Sequence, residues 1–140
     1  MSNTFQEALT RSEEWLRELS QTLHVVDDRQ AIRALRAGLH ALRDRLPAPE
    51  VVDLGAQLPM LIRGLYYEGW RYANDPGEIR TRDQLVERVR NDLRDPRLDP
   101  EDVLHAVIRV LTLHVTTGEL EDVVGVLPKP IAELWEEATM

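Results

Sequence analysis

Apolar residues recur along this chain at three- and four-residue intervals, the period of an amphipathic helix, and no alternating run bounded by hairpin turns marks a strand. The pattern also repeats itself. Residues 35–68 align without a gap onto residues 104–137, an offset of 69, and ten of the 34 positions are identical: Leu35/Leu104, Ala37/Ala106, Leu42/Leu111, Glu50/Glu119, Asp53/Asp122, Leu58/Leu127, Pro59/Pro128, Ile62/Ile131, Leu65/Leu134 and Glu68/Glu137. The swaps Leu39/Ile108, Leu46/Val115, Val51/Leu120 and Leu54/Val123 keep the apolar period. Self-similarity of this kind predicts an all-α fold of two tandem pseudo-symmetric four-helix units packed as one helical bundle. Unit one spans 1–72, a linker 73–80 and unit two 81–140.

Each unit reads as a long helix, a longer second helix, a short helix and a fourth opened by Leu-Pro. Thr4-x-x-Glu7 and Thr81-x-x-Gln84 have the form of capping boxes. The first helix presents Leu9, Trp15, Leu16, Leu19 and Leu23, and its counterpart Leu85, Val86, Val89 and Leu93, stopped by Asp95-Pro96. The second helix carries the stripe Ile32, Leu35, Leu39, Leu42 and Leu46, widened by Ala31, Ala34, Gly38 and Ala41, small enough to let a neighbouring helix approach. Its counterpart starts at Asp99-Pro100, a cap followed by proline in the first turn, and is predicted to end at Thr117-Gly118. Pro59 and Pro128 open the fourth helices, Gly69 caps the one in unit one, and Tyr72-Ala73-Asn74-Asp75-Pro76-Gly77 is the linker turn.

Composition narrows the chemistry. The chain has 140 residues and no cysteine, which leaves only histidine and carboxylate chemistry open and fits a reducing cytoplasm. The start, Met1-Ser2-Asn3-Thr4-Phe5-Gln6-Glu7, has neither a basic nor an apolar stretch, and no segment has the run of about 18 apolar residues that a span needs. A cytoplasmic location without membrane insertion is therefore expected. A formal net charge of −8 argues against nucleic acid as a partner. The charge is uneven: residues 1–72 carry nine basic and ten acidic residues, residues 73–140 eight and fifteen.

Leu35-Arg36-Ala37-x-Leu39-His40-Ala41-Leu42-Arg43-Asp44-Arg45-Leu46-Pro47, then Leu58-Pro59 leading to Arg63-Gly64-Leu65-Tyr66-Tyr67-Glu68-Gly69-Trp70, resemble a bacterial family of uncharacterised proteins, domain-of-unknown-function family 2267. Gly118-Glu119-Leu120-Glu121-Asp122-Val123, followed by Leu127-Pro128 and Leu134-Trp135, resembles its C-terminal part. The Gly-Leu-Tyr-Tyr-Glu-Gly-Trp string is the most specific piece. The resemblance implies a bacterial origin and a helical fold, and it assigns no catalytic residue.

Two constellations offer contact surfaces. Arg29, Arg33, Arg36, His40 and Arg43 fall within a strip of about 80° on the second helix, and no acid interrupts them between Arg29 and Arg43. Arginine forks bind carboxylates and phosphates in two-pronged fashion, so the strip suits an acidic partner surface or an anionic ligand; the bland alternative is solvation or pairing with acids of the second half. Tyr66, Tyr67, Trp70 and Tyr72 form an aromatic segment. Tyr66 aligns with Trp135 and reads as a core anchor, which leaves Tyr67, Trp70 and Tyr72 either to pack the linker or to form a patch.

Reactive motifs are scarce. His40 and Asp44 lie one turn apart, as do Glu101 and His105, and Asp102-x-x-His105 is half of a di-metal motif whose repeat positions hold Arg33 and Arg36. Acids opening a helix with histidines on its flank explain the same residues, so no metal and no cofactor is expected; His24 and His114 have no evident partner. No nucleophile elbow, phosphate loop, zinc-protease or dinucleotide motif occurs. The expected function is a non-enzymatic protein-interaction module, with another protein or a second copy of the chain as partner. The alternative is a carrier or sensor binding a small anionic or apolar ligand between the units, lined by Arg36, Arg63 and Tyr66. An enzyme using the His40/Asp44 neighbourhood is the third class.

Overall fold

The computed structural model describes residues 3–73 and 75–140, and among them there is no strand. The chain is all-helical: α1 (Thr4–Leu23), α2 (Asp28–Asp44), α3 (Ala48–Ala56), α4 (Met60–Tyr67), α5 (Arg82–Leu93), α6 (Pro100–His114), α7 (Thr117–Gly125) and α8 (Lys129–Thr139), with one 3-10 turn at Pro76–Glu78. Pro59 and Pro128 are the N-caps of α4 and α8, held extended at ψ 158° and 151°. The capping box of α5 forms: the Gln84 N–H donates to Thr81 Oγ1 at 3.2 Å and the Thr81 N–H to Gln84 Oε1 at 3.1 Å. Asp99 caps α6 by accepting the Asp102 N–H at 3.0 Å. Gly69 takes the left-handed φ of 69° just past the end of α4, where a side chain would be strained.

Several local expectations give way to competing chemistry. The N-cap of α1 is Asn3, and Thr4 is already helical. In the first half the first helix, 20 residues, exceeds the second, 17. Thr117-Gly118 does not end α6 but opens α7: Val115 turns extended, and Thr116 Oγ1 accepts the Glu119 N–H at 3.3 Å. A side-chain cap outweighs a glycine stop there. Leu9 is 46% exposed, because the buried face of α1 runs through Ala8, Ser12, Trp15 and Leu19. Asn74 of the linker turn, with Met1 and Ser2 of the sequence start, lies outside the described residues.

One apolar cluster joins both halves. The first helix of each half packs on the second helix of the other, α1 on α6 and α5 on α2, while α2 also crosses α6. Trp15 stacks on His114 with ring centroids 4.8 Å apart, and His114 Nε2 meets Glu18 Oε2 at 2.6 Å, so the histidine expected to lack a partner joins α1 to α6. Leu19, Leu35, Leu104 and Leu111 are fully enclosed, each contributing about 1.5–3 kcal/mol of burial. Because α2 and α5 come from different halves, the furrow between them is lined by side chains far apart in sequence.

Candidate functional site

Four of the five strip residues, Arg33, Arg36, His40 and Arg43, line one cleft of about 490 Å³ between α2 and α5. Arg88, Asp92 and Arg94 form the opposite wall, and Glu68 and Gly69 close one end. The lining thus holds five arginines and two carboxylates, with Asp44 and Asp95 reaching the arginines from beside it, in a chain whose net charge is −8. Arg29 is exposed and is not part of the lining.

The floor is a fixed ion network. Arg43 is 2% exposed; its Nε donates to Asp44 Oδ1 at 2.8 Å and its Nη1 to the carbonyls of Tyr66 and Glu68 at 2.7 and 2.6 Å. Arg88 reaches across from α5 to Asp44 Oδ2 at 2.6 Å and holds Asp92 at 3.1 Å. Burial raises the Asp44 pKa, but the hydrogen bonds and charges of Arg43 and Arg88 outweigh it and hold the carboxyl below its ordinary range. Arg43 is thus a structural pin and not a free binding group. Its polar alignment is what a buried guanidinium requires, since an unpaired one costs several kcal/mol.

The rim is looser. Arg36 Nε pairs with Glu68 Oε2 at 3.2 Å with both side chains 40% or more exposed. Arg33, 44% exposed, stands 3.9 Å from Asp95. That carboxylate is already occupied by two donors of Arg97 at 3.0 Å and by Gln30 at 3.1 Å. Arg94, exposed, ends α5 in a left-handed turn at φ 51°. An exposed pair such as Arg36–Glu68 is worth about 0–1 kcal/mol, so an incoming carboxylate exchanges with Glu68 at little cost.

His40 donates from Nε2 to the Leu65 carbonyl at 2.8 Å. Burial lowers its pKa, against the Leu65 bond, and Arg43 lowers it further. With Asp44 held by two guanidinium groups and His40 by a carbonyl, both are engaged in holding helices together.

The remaining candidates are dispersed. Arg63 folds onto the C-terminal end of α3, donating to the carbonyls of Gly55 at 2.9 Å and Leu58 at 2.8 Å. Tyr66 is buried and donates to the Val51 carbonyl at 2.7 Å. Arg36, Arg63 and Tyr66 thus sit in three different settings. The other aromatics form a ladder from core to surface, with ring centroids 5.0 Å apart for Tyr66–Tyr67, 5.8 Å for Tyr67–Trp70 and 6.2 Å for Trp70–Tyr72. Tyr67 covers Gly55, Trp70 is half-buried and Tyr72 is 81% exposed. None of these rings lines the cleft.

Glu101 and His105 meet Glu137, not Asp102, which is in the first turn of α6. Arg82 bridges Glu101 and Glu137, so a guanidinium already supplies the positive charge of that group. A larger open groove of about 970 Å³ runs along α1, but Glu13, Asp28 and Arg17 are spread among its apolar lining and gather no cluster of one sign. Arg88 and Arg94 escaped sequence reading because only the packing of α5 on α2 brings them to the strip.

The family model described as Uncharacterized conserved protein (DUF2267) matches residues 12–134. That span holds the whole cleft. No curated protein matches the chain.

Proposed function

This chain belongs to the DUF2267 family, and we propose that it is a non-enzymatic interaction module whose α2/α5 cleft takes an acidic segment of a partner protein. The observation that carries this reading is the set of rim arginines Arg33, Arg36 and Arg94 at one cleft of an acidic chain, above Arg43 and Arg88 already held by Asp44. Arg43 and Arg88 give the cleft a rigid floor, while Arg33, Arg36 and Arg94 offer forks at its rim. Trp70 and Tyr72 follow in sequence after Gly69, outside the lining, and are aromatic types that protein interfaces favour.

A second reading keeps the cleft and changes its occupant to a small anionic ligand held between the halves. The volume of about 490 Å³ favours it, falling in the usual range of small-molecule sites. Both readings treat the halves as tandem copies, supported by α3 and α7, nine residues each and starting at Ala48 and Thr117, 69 positions apart.

Fluorescence anisotropy with a labelled polyglutamate peptide at low salt, and calorimetry with inorganic phosphate, separate the two. The interaction reading expects the peptide to bind wild type and to lose about tenfold or more in affinity with Arg33→Glu/Arg36→Glu. Phosphate binding without peptide binding favours the carrier. Binding of neither, or peptide binding indifferent to the double substitution, removes the cleft as the site.

A further inference from the structure

The structure carries a second place where like charges meet, away from the arginine cleft and independent of its reading. Helices α3 and α7 touch, and each has a glutamate in its first turn, Glu50 and Glu119. One oxygen each from Glu50, Asp53 and Glu119 lies within 4.8 Å of the others.

A glutamate at the third helical position ordinarily bonds back to the N-cap N–H. Neither can do so here. The N-cap of α3 is Pro47, which has no N–H, and the Thr116 N–H at the cap of α7 donates to Gln57 Oε1 at 3.3 Å. The result is visible in the carboxylates themselves: Glu50 Oε1 and Glu119 Oε2 are sealed from solvent with no donor from the rest of the fold, and can satisfy each other only by sharing a proton. A buried, unsatisfied carboxylate oxygen is among the costliest groups a fold can hold.

No arginine or lysine relieves the charge. Among the described residues none forms an ion pair with Glu50, Asp53 or Glu119. The contrast with Glu101 and Glu137, bridged by Arg82, is direct. Nearby Arg63 is spent on the carbonyls at the end of α3, and the Tyr66 hydroxyl on Val51. Both acid pairs, Glu50/Glu119 and Asp53/Asp122, are identical matches of the sequence repeat, so the same acids recur where the two short helices meet.

We propose that Glu50, Asp53 and Glu119 form a binding site for a hard divalent cation of the Ca²⁺ class at the α3/α7 contact. The donors are all carboxylate oxygens, the set that Ca²⁺, Mg²⁺ and Mn²⁺ prefer over softer metals. Spacing favours the larger ion: Ca²⁺, with oxygens at about 2.3–2.6 Å, spans ligands up to about 5 Å apart, whereas Mg²⁺ spans about 4 Å. The cation would satisfy both sealed oxygens and pin the short helix of one half to that of the other.

The test is calorimetric titration of CaCl₂ and, separately, MgCl₂ into the full chain after EDTA dialysis, with thermal unfolding in parallel. The expected result is one Ca²⁺ per chain, with a Kd on the order of 10–100 µM and a raised Tm. Glu119→Gln, near-isosteric and relieved of its charge, and Asp53→Asn, an exposed position, should each weaken binding about tenfold or more, while Glu137→Gln leaves it unchanged. No heat and no Tm shift with either ion would overturn the site and leave a shared proton only. So would a Ca²⁺ response that survives in both Glu119→Gln and Asp53→Asn.

Discussion

A Cβ placed on Gly38 would lie 2.6 Å from Cγ2 and 3.0 Å from Cβ of Val107, so α2 and α6 meet through bare backbone on one side and a branched side chain on the other. The two residues are 69 positions apart, the offset at which the sequence aligns with itself. Gly38→Ala pits a helix-propensity gain of up to about 1 kcal/mol against an overlap that costs about 1–3 kcal/mol, and the overlap should win. In a double-mutant cycle measured by urea unfolding, Val107→Ala should offset the Gly38→Ala loss, with a coupling of about 0.5–3 kcal/mol. Additive losses would mean that the helices part to accommodate the methyl.

Arg43 and Arg29 bracket the range of what an arginine on one helix face does. Arg43→Met leaves the Tyr66 and Glu68 carbonyls without this donor and takes one guanidinium from Asp44, and should lower unfolding free energy by about 3–5 kcal/mol. Arg29→Ala, at an exposed position, should stay within about 0.5 kcal/mol of wild type. Equal effects in urea titrations would contradict the buried network.

Acid should loosen the α2/α4 junction through His40. Its pKa is lowered from 6.5 by burial, so in the unfolded chain the ring takes a proton more readily than in the fold. The contribution is therefore full above the ordinary value and is lost as pH falls below it. Arg43, Asp44 and Glu68 are the charged groups acting on the ring, and Arg43 opposes its protonation. Stability measured between about pH 7.5 and 5.5 should fall less steeply in His40→Gln than in wild type. Parallel slopes would show that His40 does not report on that junction.

Arg63, grouped by its residue type with the binding arginines, should behave as a helix clamp. Arg63→Gln removes donors from carbonyls at the end of α3 and should cost about 1–3 kcal/mol while leaving polyglutamate affinity unchanged. An affinity loss at unchanged stability would return Arg63 to the binding surface.

Helical period, proline positions and the Thr81 capping box were all legible in the sequence, because each depends on residues within one or two turns. Tyr66 as a core anchor was legible from its alignment with Trp135. What escaped is non-local. No acid interrupts the strip between Arg29 and Arg43, yet Glu68, just past α4, and Asp95, in the loop after α5, reach it. His114 finds Trp15 and Glu18 only because α1 packs on α6. Thr117-Gly118 misled for a local reason, since a glycine reads as a stop unless the preceding Thr116 is weighed as a cap. The paired acids Glu50/Glu119 were visible as repeat matches, but nothing in one dimension says that α3 and α7 touch.

The cleft itself is tested most directly by NMR of the arginine Nε–Hε signals during titration with a polyglutamate peptide. The account predicts that Arg33, Arg36 and Arg94 shift together and saturably, while Arg43, fixed to the Tyr66 and Glu68 carbonyls, moves little. Shifts confined to arginines outside the cleft, such as Arg11, Arg17 or Arg109, or no saturable shift at all, would contradict it.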